Sequence, residues 1–301
     1  MLNIFASILF VYIFIILGYI AKRVFKDELD NKTLTIFSVY FLQPFVTLWG
    51  FSTAKLNFEH IYVVLIYLGI ILLLLVPSSF LAKFLFKDKK ERSIFTIAGF
   101  VGNTGNLGIP LGIALFGEQS VIYTTLINLA NVFVVYILGV YIYSRGSFNI
   151  KKSLFNIVKI PIIPAAFIAI ILNINGVEFS LEIKEFFKMG AYAGIVVQLF
   201  LLGTFLEGIK IKELNIRLLI GVLGQKFILI PIATYIILQF IDISSFVKNI
   251  LLMQMLTPLA IANINLASLY DCRAKDVSSL ILISTIIFIF VLLIFSYYIK
   301  A

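Results

Sequence analysis

The residues best suited to hold a ligand stand where a helix ought to be unbroken. From Gly99 to Gly117 the chain reads GFVGNTGNLGIPLGIALFG, placing six glycines, the carboxamides of Asn103 and Asn106, and Pro110 inside an apolar run. A second run, LTPLAIANINLASLY, carries Pro258, Asn263 and Asn265. Proline removes a backbone N–H and turns the preceding residue toward extended geometry, so Pro110 is expected to end one half-helix and open another. In hydrocarbon, freed backbone groups are tolerated only where protein or a water-filled cavity covers them. Two such interruptions in corresponding segments are the sequence mark of a transporter's central site. Half-helix N-termini offer unpaired N–H groups and partial positive charge, and carboxamides donate too; both suit a carboxylate.

Other polar residues fall within apolar runs and admit two readings each. Gly108 and Gly112 form GxxxG, and Gly99, Gly102, Gly105 and Gly108 recur every third residue, a stripe that helix packing alone could use. Packing needs neither Asn103 nor Asn106. Lys226, in GQKFILIP, lies about ten residues into its run, near mid-membrane at about 1.5 Å per residue. It is a functional candidate, its ammonium standing in for a coupling cation, or else a lysine that snorkels to the edge or pairs with a backbone carbonyl. Asn128 and Asn131 share a helix face. Gln43 precedes Pro44, and Gln198 falls in the corresponding second helix of the other half. These are cavity-lining residues or interhelical glue.

The elements that must position these groups are membrane helices. The chain has 301 residues, 61% hydrophobic and only 13% charged, about half the charge of a soluble domain; its mean hydropathy is +1.09. Runs near twenty residues fall at 2–21, 33–52, 61–82, 94–116, 119–143, 153–174, 186–206, 216–240, 247–269 and 277–299. That predicts an all-α integral membrane protein of ten spans, since none of the runs alternates as barrel strands do. Seventeen basic residues fall on one side of such a topology and five on the other, which predicts a cytoplasmic basic face and both termini outside an inner (plasma) membrane. The first run has no basic leader and reads as a span rather than a signal peptide.

Five spans precede the basic stretch from Arg145 to Lys152 and five follow it, so the halves 1–145 and 153–301 enter the membrane from opposite sides. This is the topology of an inverted repeat. Pro77 of LLLLVP falls opposite Pro231 of ILIP, LWGFSTAKL resembles LLGTFLEGIKI, and the broken fourth span falls opposite the broken ninth. All fifteen carboxylates lie in loops or at span ends, which argues against an antiporter of the paired-aspartate type and predicts an organic anion as cargo. A single histidine, His60, and a single cysteine, Cys272, leave no metal or nucleophile pattern, and no phosphate-binding glycine loop is present. The expectation is therefore a transporter that is not an enzyme, without cofactor or nucleic-acid partner. Its partners are the bilayer and a small anion.

GNTGNLGIPLGIALFG, followed by a fifth span with Asn131 and Gly139, resembles the auxin efflux carrier family, which includes plant PIN proteins and bacterial permeases associated with malate or malonate. LTPLAIANINLASLYDCRAKDVSSLILISTIIF resembles that family's ninth and tenth helices. The resemblance covers essentially the whole chain. It implies an NhaA-like and bile-acid-transporter-like fold, with a scaffold of helices 1, 2, 6 and 7 and a transport domain of helices 3–5 and 8–10. Helices 4 and 9 would cross at the substrate site, with an elevator-type shift and a homodimer as the assembly expected by analogy. Substrate contacts would come from Asn103, Asn106, Pro110, Asn131, Pro258, Asn263, Asn265, Gln43 and Gln198. Asn263 stands where plant members place the second proline, and their long cytoplasmic loop is replaced by 144–153. A sodium-coupled bile-acid-type symporter and a non-transporting membrane sensor remain the alternatives.

Overall fold

The computed structural model describes residues 2–145, 149–207, 209 and 215–299. Lys210, Lys212 and Lys300, three of the lysines counted above, lie outside them. Among the described residues the regular structure is helical, with one isolated β-bridge. In chain order the helices are α1 (Leu2–Phe25), α2 (Asn31–Ser52), α3 (Phe58–Leu85), α4 (Lys89–Ile97), α5 (Thr104–Phe116), α6 (Glu118–Tyr143) and α7 (Ile150–Val158). Then follow α8 (Ile162–Ile174), α9 (Leu181–Glu207), α10 (Ile216–Gln239), α11 (Ser245–Leu256), α12 (Ala262–Leu269) and α13 (Ala274–Tyr298). Six of these, α2, α3, α6, α9, α10 and α13, are long and apolar enough to cross a membrane, or seven if the bent pair α7–α8 is one span; α5 and α11 are shorter apolar helices. Large apolar side chains such as Phe10, Phe41, Leu65, Phe84 and Ile294 are exposed. That is the surface of a protein solvated by hydrocarbon.

Pro77 lies inside the 28-residue α3, and three further prolines are carried by helices in another way. Pro44, Pro110 and Pro231 each follow a widened π-turn, at 37–42, 104–108 and 225–229, and lie in the first turn of the α-helical stretch that resumes. The extra residue in such a turn already breaks the regular ladder, so the missing proline N–H costs no further bond. Pro110 thus opens an α-helical stretch as expected, but the chain before it is already helical, so the preceding half-helix does not end there. The interruption lies earlier, at 98–103 between α4 and α5, and Pro110 is buried within resumed helix.

The run 153–174 is likewise not one straight span. It bends by 68° between α7 and α8, where Pro161 pushes Ile160 away from helical geometry.

The chain divides into two compact units. One comprises Met1–Ile61, Gly105–Leu129 and Phe155–Gly208; the other comprises Tyr62–Thr104, Ala130–Leu154 and Ile209–Ala301. In the first, α1 lies hard against α9: a Cβ on Gly18 would stand 1.9 Å from the Phe200 carbonyl oxygen, and one on Gly203 the same distance from that of Ile15. Only glycine permits so close a backbone approach. Asn173 of α8 fastens the end of α2, donating to the Phe51 and Ala54 carbonyls at 2.8 Å and accepting from the Leu56 N–H. In the second unit, buried Tyr67, Ile71, Ile94, Ile97, Met253, Ile281 and Phe288 form the core around the break.

Candidate functional site

The second unit brings its two interrupted helices together. α4 ends at Ile97 and passes through a turn at 98–100 before the chain straightens at 101–103, whereas beyond the end of α11 at Leu256 it leaves the helix directly at Thr257. There the stretches pair antiparallel about Gly102 and Leu259. The Asn103 N–H donates to the Pro258 carbonyl at 2.8 Å, and the Ala260 N–H donates to the Val101 carbonyl at 2.9 Å. Each break thus satisfies backbone groups that the other has freed, the condition for non-helical chain at membrane depth. Gly102 is required by contact: a Cβ there would lie 2.7 Å from Thr257 Oγ1 and 3.3 Å from Lys226 Nζ.

Side chains from distant segments cap what remains. Asn263 donates through Nδ2 to the Val101 carbonyl at 3.0 Å and the Ala260 carbonyl at 3.1 Å, while its Oδ1 accepts from the Tyr143 hydroxyl at 3.1 Å. Both of its N–H groups are used. Asn131 Nδ2 donates to the Gly102 carbonyl at 2.9 Å, and its Oδ1 accepts from the Tyr67 hydroxyl at 3.1 Å. Ser284 Oγ receives the Leu259 N–H at 3.2 Å. Lys226, 1% exposed, donates to the Gly99 carbonyl at 2.8 Å. Of its two structural readings, the backbone-carbonyl partner is the one observed.

Three carboxamides of the second unit keep a buried atom without a partner; one is Gln225, whose Nε2 donates to Ser78 Oγ at 2.6 Å while its Oε1 has none. Asn103 is buried with no partner for Nδ2, and Gln254, 1% exposed, has none for either amide atom. A buried donor without a partner costs about 1–3 kcal/mol, so each such group calls for a reason. Thr257 Oγ1 donates to the Gln254 carbonyl, which ties that residue to the start of the second break.

The remaining sequence candidates are placed as follows. Pro258 supplies a carbonyl to the bridge. Asn265, two residues beyond Asn263, is exposed on the other side of α12. Asn106, Pro110, Gln43 and Gln198 belong to the first unit, where Gln198 is buried with Nε2 unpaired and Asn106 and Gln43 are half-buried. Tyr67, Tyr143, Ser284, Thr257 and Gln254 were not legible as site residues, because hydroxyls and a lone glutamine in apolar helices carry no spacing signal.

Among the described residues no carboxylate pairs with Lys226; the ion pairs of the second unit gather elsewhere. Arg273 engages Asp88, Glu91 and Asp276, and Asn215 at the start of α10 donates to Glu91 at 2.6 Å, so the ends of α4, α10 and α13 are tied together. Lys90 holds the exposed Asp271 carboxyl below the usual carboxylate range, and burial pushes the Cys272 thiol up to about 11. These charges form the end of the unit. Among the described residues, the crossing itself presents the Lys226 amine, amide groups and hydroxyls, with no carboxylate among them.

The model of the membrane transport protein family matches residues 3–296. An uncharacterized transporter of Methanocaldococcus jannaschii is 26% identical over 288 residues, 92% of this chain and 93% of the relative. An integral membrane protein whose two interrupted helices pair through their backbones, this chain belongs to the membrane transport protein (auxin efflux carrier) family and is a transporter, not an enzyme.

Proposed function

We propose that the protein is a secondary transporter of a small organic anion, a carboxylate of the malate, malonate or aromatic-acid class. The observation that carries the reading is the unequal use of the amides at the crossing. Asn131 and Asn263 are consumed by backbone carbonyls, whereas the buried Nδ2 of Asn103 has no partner, one residue from the Gly102 that Lys226 approaches. A carboxylate accepts from Asn103, gains from the nearby ammonium, and leaves Asn131 and Asn263 as the frame that holds the break open. Gln254 is a second donor for the same anion.

In this reading the chain forms ten spans as two inverted repeats, 1–145 and 153–301, in the plasma membrane with both termini outside. Helices 1, 2, 6 and 7 act as scaffold, and an elevator-type movement of the remainder gives alternating access. Lys226 provides positive charge without a coupling cation. The unpaired Gln198 amide, with Asn106 and Gln43, is a further set of polar contacts, and a homodimer is the assembly the family resemblance favours.

The test is current across proteoliposomes on stepping through malate, malonate, short monocarboxylates and indole-3-acetate, with and without sodium. A saturable, sodium-independent current for one anion, reduced at least tenfold in Asn103→Ala, is expected. Unchanged transport in folded Asn103→Ala would refute the site. Strict sodium dependence would turn the reading toward a symporter, and saturable binding without current toward a sensor.

A further inference from the structure

We propose that α7 is an in-plane helix that docks on anionic lipid headgroups. The argument starts from the bend. α8, thirteen residues and apolar, turns away from α7 by 68°, so if α8 runs along the bilayer normal, α7 lies close to the membrane plane. Its nine residues, IKKSLFNIV, with Lys159 just past the end, fall on three faces, and Lys151 lies within the apolar one. Ser153 and Ile157 are buried against protein. Ile150, Leu154, Phe155 and Val158 form a second, apolar face, between 43% and 64% exposed. Lys152, Asn156 and Lys159 form the third, and all three are exposed.

A free apolar face beside a basic face is the pattern of a helix sunk at the headgroup boundary. A helix crossing the core would not present lysines there, and one in water would not expose four large apolar side chains. Lys159 Nζ stands 4.1 Å from the centre of the Phe155 ring, which keeps an ammonium at the level where that ring enters the membrane. Lys151, exposed at the helical position between Val158 and Phe155, lies within the apolar face and adds a third charge there by extending its ammonium along its own apolar stem to the headgroups. No acidic residue occurs between Arg145 and Lys159, so nothing in the segment neutralises them. The partner this combination fits is a lipid with a negative headgroup and acyl chains, such as phosphatidylglycerol.

The chain has one tryptophan, Trp49, which makes a direct test possible. In a Trp49→Phe background, Phe155→Trp places the sole indole on the apolar face. Quenching is then compared in bilayers where either phosphatidylglycerol or phosphatidylcholine is brominated, at equal mole fraction. Stronger quenching by brominated phosphatidylglycerol is expected, with enrichment falling about fivefold for each lysine removed. Lys151→Gln/Lys152→Gln/Lys159→Gln should abolish the preference, and the corresponding triple arginine variant should keep it. Equal quenching by both lipids would refute headgroup recognition. Absence of quenching by either would refute membrane docking and show that protein covers this face.

Discussion

Replacing Asn131 by alanine separates a frame residue from a ligand residue. In the native unit this amide bonds two buried groups at once, the Gly102 carbonyl at 2.9 Å and the Tyr67 hydroxyl at 3.1 Å. The size of the effect depends on what those groups do afterwards. If each finds another partner, as interhelical bonds in membranes often do, the loss is about 0.6 kcal/mol per bond, or roughly 1 kcal/mol in all. If both are orphaned, the loss is about 1–3 kcal/mol each, or roughly 2–6 kcal/mol. Gly102 decides between these outcomes: it lies in extended chain, outside the ladder of either α4 or α5, and has no helical neighbour to fall back on. The larger figure is therefore expected. At about 2 °C per kcal/mol for a chain of this size, that is a fall of roughly 4–12 °C in the apparent Tm of the purified protein in detergent. Tyr67→Phe should cost less. The double variant should lose less than the sum, with a coupling of about 1 kcal/mol. Asn103→Ala, which removes an unpaired donor, should shift Tm by no more than about 2 °C while abolishing transport. An Asn131→Ala protein within about 2 °C of wild type, or an Asn103→Ala protein destabilised as much as Asn131→Ala, would refute the division of roles.

Other consequences follow from contacts elsewhere. Gly203→Ala would set a methyl 1.9 Å from the Ile15 carbonyl oxygen, so α1 must leave α9; monodisperse protein in size-exclusion chromatography should be lost. Gly69→Ala, in open space on α3, should be tolerated and gain up to about 1 kcal/mol from helix propensity. Arg273→Ala removes the shared partner of Asp88, Glu91 and Asp276 and should cost about 2 kcal/mol, whereas Lys90→Ala, opposite an exposed Asp271, should cost under about 0.5 kcal/mol; denaturant titration distinguishes them. Cys272 is buried with its thiol pushed up to about 11, so only about 0.1% is thiolate at pH 8 and N-ethylmaleimide should label it only after unfolding. Because the folded state holds that proton more tightly than the unfolded chain, stability from this group is present at neutral pH and declines as pH rises past the ordinary thiol range.

Which parts of this were legible in the sequence follows from the range over which each signal acts. The two interruptions were visible because glycine, proline and asparagine act locally: whatever the fold, GNTGN and TPLA are poor helix. Their exact form was not, since proline was expected to mark the break, while in the folded chain a π-turn accommodates Pro110 and the break falls at 98–103. The bend before α8 was also written locally, in IPIIP, but apolar length alone does not reveal it, because isoleucine keeps the run unbroken around both prolines. The assignments of Asn131, Asn263 and Lys226 depend on partners 29, 162 and 127 residues away, and no local rule names a carbonyl at that distance. Residue type could say that an asparagine in an apolar helix needs a partner. Only the pairing of the breaks says that for Asn131 and Asn263 the partner is the protein's own backbone, which leaves Asn103 and Gln254 as the amides with donors to spare. A membrane helix can be interrupted only if something replaces its ladder. In this unit that replacement uses most of the polar groups that composition alone would have offered to a ligand.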